Sequence, residues 1–105
     1  MSNKRVVVTG MGVVSPIGNN LDHFWNNLKK GTNGINDISL FDTTNFDVKI
    51  AGESNIDLKS FFDRKELNKL DRFSVFVFFA AKKAINQSNI LDCKTSPSRI
   101  GVIVG

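Results

Sequence analysis

The residues whose types and spacing could carry chemistry are few. Gly10, Gly12 and Ser15 follow a β-branched run at the three positions of a phosphate-cradling turn. A dinucleotide site needs glycine at the third position, a helix opening inside the motif and an acidic residue closing a second strand. Here the third position is serine, Pro16 interrupts the chain, and the next helical pattern waits until Leu21. Cys93, the lone cysteine, could be a nucleophile if a base and an electropositive niche accompanied it. Its neighbour Asp92 is acidic and not electropositive, and the lone histidine, His23, lies off the apolar stripe of its segment. One His and one Cys do not make a metal ligand set, and the carboxylates are dispersed over loops and helix ends. No catalytic constellation, cofactor site or metal site is read from these residues.

The elements that would position a site are clearer. Arg5 to Thr9 has the β-branched character of a strand buried on both faces. Gly10 and Gly12 are expected to free the backbone for tight or left-handed turns. Asn20 is placed as the N-cap of a helix with Asp22 in its first turn and Lys29 and Lys30 in its last. Leu21, Phe24, Trp25 and Leu28 form its apolar stripe, and Gly31 its left-handed stop. Gly31 to Asn45 reads as loop, and Phe46, Val48 and Ile50 alternate with Asp47 and Lys49 as a short half-exposed strand. Gly52 to Asn55 reads as a turn, and Leu58 to Phe62 as a single helical turn.

A long helix is expected from Asp63, whose spacing to Glu66 matches a capping box. Its first turns are basic, with Arg64, Lys65 and Lys69. From Val75 to Ala81 no polar residue intervenes, the pattern of a helix buried all round. Phe73 to Phe79 also has strand propensity, but caps and length favour helix. Lys82 and Lys83 return it to solvent, Asn86 to Asn89 close it, and a polar loop leads to a second buried-type strand, Ile100 to Val104. Two buried strands and a buried helix need covering layers that one amphipathic helix and a short ribbon cannot supply. The expectation is an N-terminal piece of a larger α/β domain, or else a small protein that buries these surfaces in an oligomer.

The chain has 105 residues, 41% hydrophobic and 23% charged, which is globular composition with room for at most one domain. The net charge of +4 favours an acidic partner but is too mild for a dedicated nucleic-acid binder, and the phenylalanines fall at buried positions. A single cysteine allows no internal disulfide and fits a reducing compartment. No apolar run approaches the roughly 20 residues of a membrane span, and no secretory leader pattern is present. A soluble protein without nucleic-acid or membrane partners is expected.

The stretch RVVVTGMGVVSPIGN (Arg5 to Asn19) resembles the N-terminus of the β-ketoacyl-acyl-carrier-protein synthases, closest to the type II elongating condensing enzymes. The resemblance continues through GTNGI (Gly31 to Ile35), FDTTNF (Phe41 to Phe46), IAGE (Ile50 to Glu53), RKELNKLDRF (Arg64 to Phe73) and RIGVIVG (Arg99 to Gly105), in order and over essentially the whole chain. It implies a thiolase-like α-β-α-β-α fold, incomplete in this chain, with residues 1–105 an N-terminal segment of the synthase N-terminal domain. The first and last strands would neighbour each other in the central sheet, with the helix from Phe73 in the interior.

The implied reaction is a decarboxylative Claisen condensation of acyl and malonyl thioesters in fatty acid elongation, by an acyltransferase needing no cofactor. The family's catalytic Cys and two His would lie beyond Gly105; Cys93 and His23 match neither, and the 105-residue chain alone would be inactive. The resemblance further implies a homodimer and docking of an acidic acyl carrier protein on Lys65 and Lys69, with Arg64 beside them. Asn68 stands where bacterial relatives usually carry a basic residue. The compartment implied is the cytoplasm, or a plastid-type organelle in a eukaryote. The alternatives are a ketosynthase segment of a polyketide assembly line, a non-catalytic module that keeps a synthase-like half-fold, and a nucleotide-binding domain.

Overall fold

In a computed structural model of the chain, residues 3–105 are described. Helix α1 spans Leu21–Lys30, β1 Asn36–Asp37 and β2 Ile50–Ala51; α2 spans Arg64–Leu67 and α3 Arg72–Ser88. Short 3-10 turns occupy Leu58–Ser60, Ile90–Asp92 and Pro97–Arg99.

Helix α1 forms where its caps dictate. The Asn20 side chain accepts the His23 backbone N–H at 2.8 Å, and Gly31 adopts the left-handed conformation (φ 68°) that suits glycine. Before it, Ser15, Pro16, Ile17 and Gly18 make a tight turn, closed by the Gly18 N–H on the Ser15 carbonyl at 3.2 Å. Serine first, proline second and glycine fourth are the residue preferences of such a turn. The Asn27 amide, one helical turn from the end of α1, donates to the Ile17 carbonyl at 2.6 Å. Helix and turn are therefore one unit.

β1 and β2 pair antiparallel, with Asn36 opposite Ala51 and Asp37 opposite Ile50. The ladder is extended by the Ile38 N–H on the Lys49 carbonyl at 2.9 Å. The expected strand over Phe46 to Ile50 is thus confined to its far end, and its partner lies within the segment expected to be loop. Glu53 closes the ribbon: its carboxylate accepts the backbone N–H groups of Ser39 and Leu40 and, at 2.7 Å, the Ser39 hydroxyl.

The long helix expected from Asp63 is two helices. Residues 68–71 separate them, and Asp71 is extended (φ −70°, ψ 154°) as the N-cap of α3. Aspartate is at home in that conformation, although this one makes no capping hydrogen bond through its side chain. α3 ends at Asn89, which takes the left-handed cap at φ 52°. The core is small. Among the described residues Val75 and Phe79 are the buried hydrophobic ones, and Phe61 meets Phe79 edge-on with centroids 4.6 Å apart. The all-round burial expected of α3 is not realised within this chain: Phe73 is 69% exposed and Phe78 54%.

Two further expectations are corrected. Arg5 to Thr9 and Ile100 to Val104 are not strands here, and Val6 and Ile103 are almost fully exposed. A strand is defined by the neighbour that accepts its N–H groups, and the described residues offer neither segment one. Gly10 and Gly12 serve contact and not turning, since neither has a positive φ. A Cβ on Gly10 would overlap the Ala84 carbonyl oxygen, and one on Gly12 that of Ala80. The Met11 N–H between them donates to the Gln87 side chain at 2.7 Å. The glycines let this segment lie directly on the backbone of α3.

The Cα radius of gyration is 17.7 Å, against about 13 Å for a compact domain of this length. No helix among the described residues is long and apolar enough to cross a membrane.

Candidate functional site: a basic helical turn beside apolar grooves

The expected basic residues sit together on α2 and the turn after it. Asp63 caps α2 by accepting the N–H groups of Lys65 and Glu66, each at 2.8 Å. Glu66 reaches back to the Asp63 N–H at 3.0 Å, completing the reciprocal box expected from the sequence. A helix of four residues has little stability of its own, so this box is what holds the turn.

The box also fixes the two carboxylates of the turn. The carboxylates of Asp63 and Glu66 are engaged with backbone amides. Arg64, Lys65 and Lys69 are all exposed. The Lys69 backbone N–H is tied to the Glu66 carbonyl at 3.0 Å, which keeps it on the same short unit as the other two. The turn therefore exposes three cations beside two carboxylates that are fixed by backbone N–H groups.

Sequence reasoning missed what lies beside the turn. Phe62, directly before the cap, packs edge-on toward Phe78 of α3 with centroids 6.2 Å apart. Phe62, Leu70 and Phe78 wall an apolar groove of 280 Å³ rimmed by Lys69 and Glu66. On the other side, Phe62 and Leu67 wall a second groove with Lys59, Asp63 and Arg64. A signal was present: Phe62 and Leu67 occupy the N′ and N4 positions that form a hydrophobic staple around a capped helix start.

The other candidates are not brought together. Cys93 is exposed after the 3-10 turn Ile90–Asp92. His23 is exposed on α1, where it borders a 510 Å³ cleft that Cys93 does not reach. The glycine turn offers no phosphate cradle, because Gly10 and Gly12 are pressed on α3 and the Ser15–Gly18 turn separates them from the start of α1.

Two carboxyl groups are held below their ordinary values by hydrogen bonds. For Asp42 the cause is the Thr44 hydroxyl and then the Thr44 N–H, and for Glu53 it is first the Ser39 hydroxyl. Both anchor loops.

Comparison with known proteins places these features in context. Residues 3–105 match the family model described as the β-ketoacyl synthase, N-terminal domain. The chain is 41% identical over 104 residues to 3-oxoacyl-[acyl-carrier-protein] synthase 2 of Staphylococcus aureus (strain COL), covering 98% of the chain and 25% of that protein. It is 40% identical over 106 residues to the synthase of the same name from Synechocystis sp., covering 100% of the chain and 26% of that protein. The chain spans about a quarter of the length of these relatives.

Proposed function

This chain belongs to the family of the β-ketoacyl synthase N-terminal domain, and from that premise we propose that it contributes the N-terminal part of a condensing enzyme of fatty acid elongation. The observation that carries the proposal is the end-to-end match, at 41% identity over 104 residues, to a protein named 3-oxoacyl-[acyl-carrier-protein] synthase 2.

In the proposed reaction an acyl group is transferred from its carrier thioester to a cysteine thiolate, releasing the carrier thiol. Malonyl-carrier protein then loses carbon dioxide, and the electron pair of the broken C–C bond attacks the acyl carbonyl. The enzyme's thiolate leaves, and the product is a 3-oxoacyl thioester on the carrier. In this reading the nucleophile and the histidines that assist it lie beyond Gly105. This segment's share of the work is to pack α3 against the glycine segment and to present Arg64, Lys65 and Lys69 to the acidic acyl carrier protein. The exposed apolar surfaces of α3 and of Val6 to Val8 support the reading, as surfaces that the remainder of the synthase or its homodimer covers.

The test is acyl transfer. Intact protein incubated with an acyl-carrier protein should gain the mass of one acyl group, mapped by peptide mass spectrometry to a cysteine other than Cys93. An acyl group on Cys93, or none on the protein, overturns the assignment.

A further inference from the structure

We propose that Asn33 is a site of slow, enzyme-independent modification: its side chain cyclises onto the Gly34 amide nitrogen with loss of ammonia, and water opens the ring to aspartate or isoaspartate. The inference is independent of the condensing role, and three observations carry it. Asparagine is among the thermolabile side chains, and the chain holds one Asn-Gly pair, Asn33 with Gly34. That pair lies between the glycine stop of α1 and β1, outside helix and strand, with Asn33 exposed. The Asn33 Oδ1 accepts the Ile35 N–H at 2.9 Å, which folds the carboxamide back along the backbone past the Gly34 nitrogen. The same bond draws electrons from the carbon that is attacked. Among the described residues no acceptor holds the Gly34 N–H, and no partner holds the Asn33 Nδ2 that leaves.

Glycine, having no side chain, leaves its amide nitrogen open to approach, and packing requires glycine here. A Cβ on Gly34 would stand 2.8 Å from the Pro16 Cβ and 2.9 Å from the Ile17 Cγ2. The Ser15–Gly18 turn thereby fixes the residue that makes Asn33 reactive. Asn20 and Asn27 are the contrast: their side chains bond the His23 N–H and the Ile17 carbonyl, and each is followed by leucine. In the reaction a bond forms between the Gly34 nitrogen and the Asn33 Cγ, the Cγ–Nδ2 bond breaks, and ammonia carries off the Gly34 amide proton. Water attack at Cγ then gives aspartate, and attack at the Asn33 backbone carbonyl gives isoaspartate. Either product replaces a neutral amide with a carboxylate. The aspartate keeps an oxygen for the Ile35 N–H, whereas isoaspartate inserts a methylene into the main chain and shifts Gly34 against Pro16 and Ile17.

The experiment ages the intact, folded protein in mildly alkaline water enriched in heavy oxygen, then maps the digest by mass spectrometry. The peptide holding Asn33 should shift in mass with time, by exchange of its amino group for a hydroxyl that carries one heavy oxygen. Fragmentation should place that label at Asn33 as a mixture of aspartate and isoaspartate. Asn20 and Asn27 in the same sample should stay unlabelled, and hydroxylamine added during ageing should trap the cyclic intermediate at Asn33. A synthetic peptide of residues 30–36 reports the reaction without the fold. If the peptide is labelled while Asn33 of the folded protein is not, the fold shields the site and the proposal is overturned. Labelling of Asn20 and Asn27 as fast as Asn33 would overturn it equally. Asn33→Ser keeps an oxygen for the turn but has no carboxamide, so its peptide should show no shift; a labelled residue there would place the chemistry elsewhere and contradict the assignment.

Discussion

At the scale of single residues, the structure assigns jobs by contact. Gly12 is required because its Cα lies against the Ala80 carbonyl. Gly12→Ala in the intact protein should cost about 1–3 kcal/mol, the usual penalty of forcing a methyl group into a filled space, read from the denaturant midpoint. An unchanged midpoint would show that α3 can step away from the segment.

Glu53 leads to a pH prediction. Its folded-state pKa lies below the ordinary glutamate value, so its contribution to stability is present above that value and is lost as pH falls through the lower folded one. Glu53→Gln should therefore flatten the acid side of the stability profile below about pH 4.3 while leaving its slope near neutrality unchanged. A parallel loss of stability at all pH values would mean that shape matters here and charge does not. Sequence alone reached neither assignment. The glycines read as turn residues because their partners, Ala80 and Ala84, lie some seventy positions away, and nothing local marks such an approach. Glu53 likewise takes its importance from Ser39 and Leu40 across the ribbon.

At the scale of elements, what was legible is what is local. The N-cap of α1, its glycine stop and the capping box of α2 were all readable, since each is decided by residues within one or two turns. Asn20→Ala should remove about 1 kcal/mol from the stability of the intact protein. A null effect would mean that packing, not the cap, sets where α1 begins. The break between α2 and α3 escaped the pattern because the capping box at Asp63 already supplied a helix start, although Asp71 is a poor interior residue and a favoured cap. The strands escaped it too, because β-branched composition gives the character of a strand but not its neighbour. For the basic turn, the sequence supplied the cations, and only the folded arrangement shows Asp63 and Glu66 turned to the backbone. Charge reversal at Lys65 and Lys69 belongs to this scale, with each exposed charge expected to count for about 1 kcal/mol or less at low salt.

At the scale of the whole molecule, apolar surface outruns what the chain can cover. Val6 is 91% exposed and Ile103 99%, and the radius of gyration is 17.7 Å. Those values describe a chain whose hydrophobic pattern was written for more layers than it contains. The 105-residue polypeptide in isolation should elute as an expanded or associated species, with little fixed near-UV circular dichroism from Trp25. A compact monomer with a sharp aromatic signal would show that the chain buries its phenylalanines unaided.

The most direct measurement is product formation. Intact protein, an acyl-carrier protein and malonyl-carrier protein are combined, and the carrier thioesters are analysed by mass spectrometry. A 3-oxoacyl-carrier product two carbons longer than the starting acyl group, formed with release of carbon dioxide and absent when the 105-residue chain is supplied alone, is the predicted result. Intact protein that consumes neither thioester, or a 105-residue chain that makes the product unaided, would contradict the account.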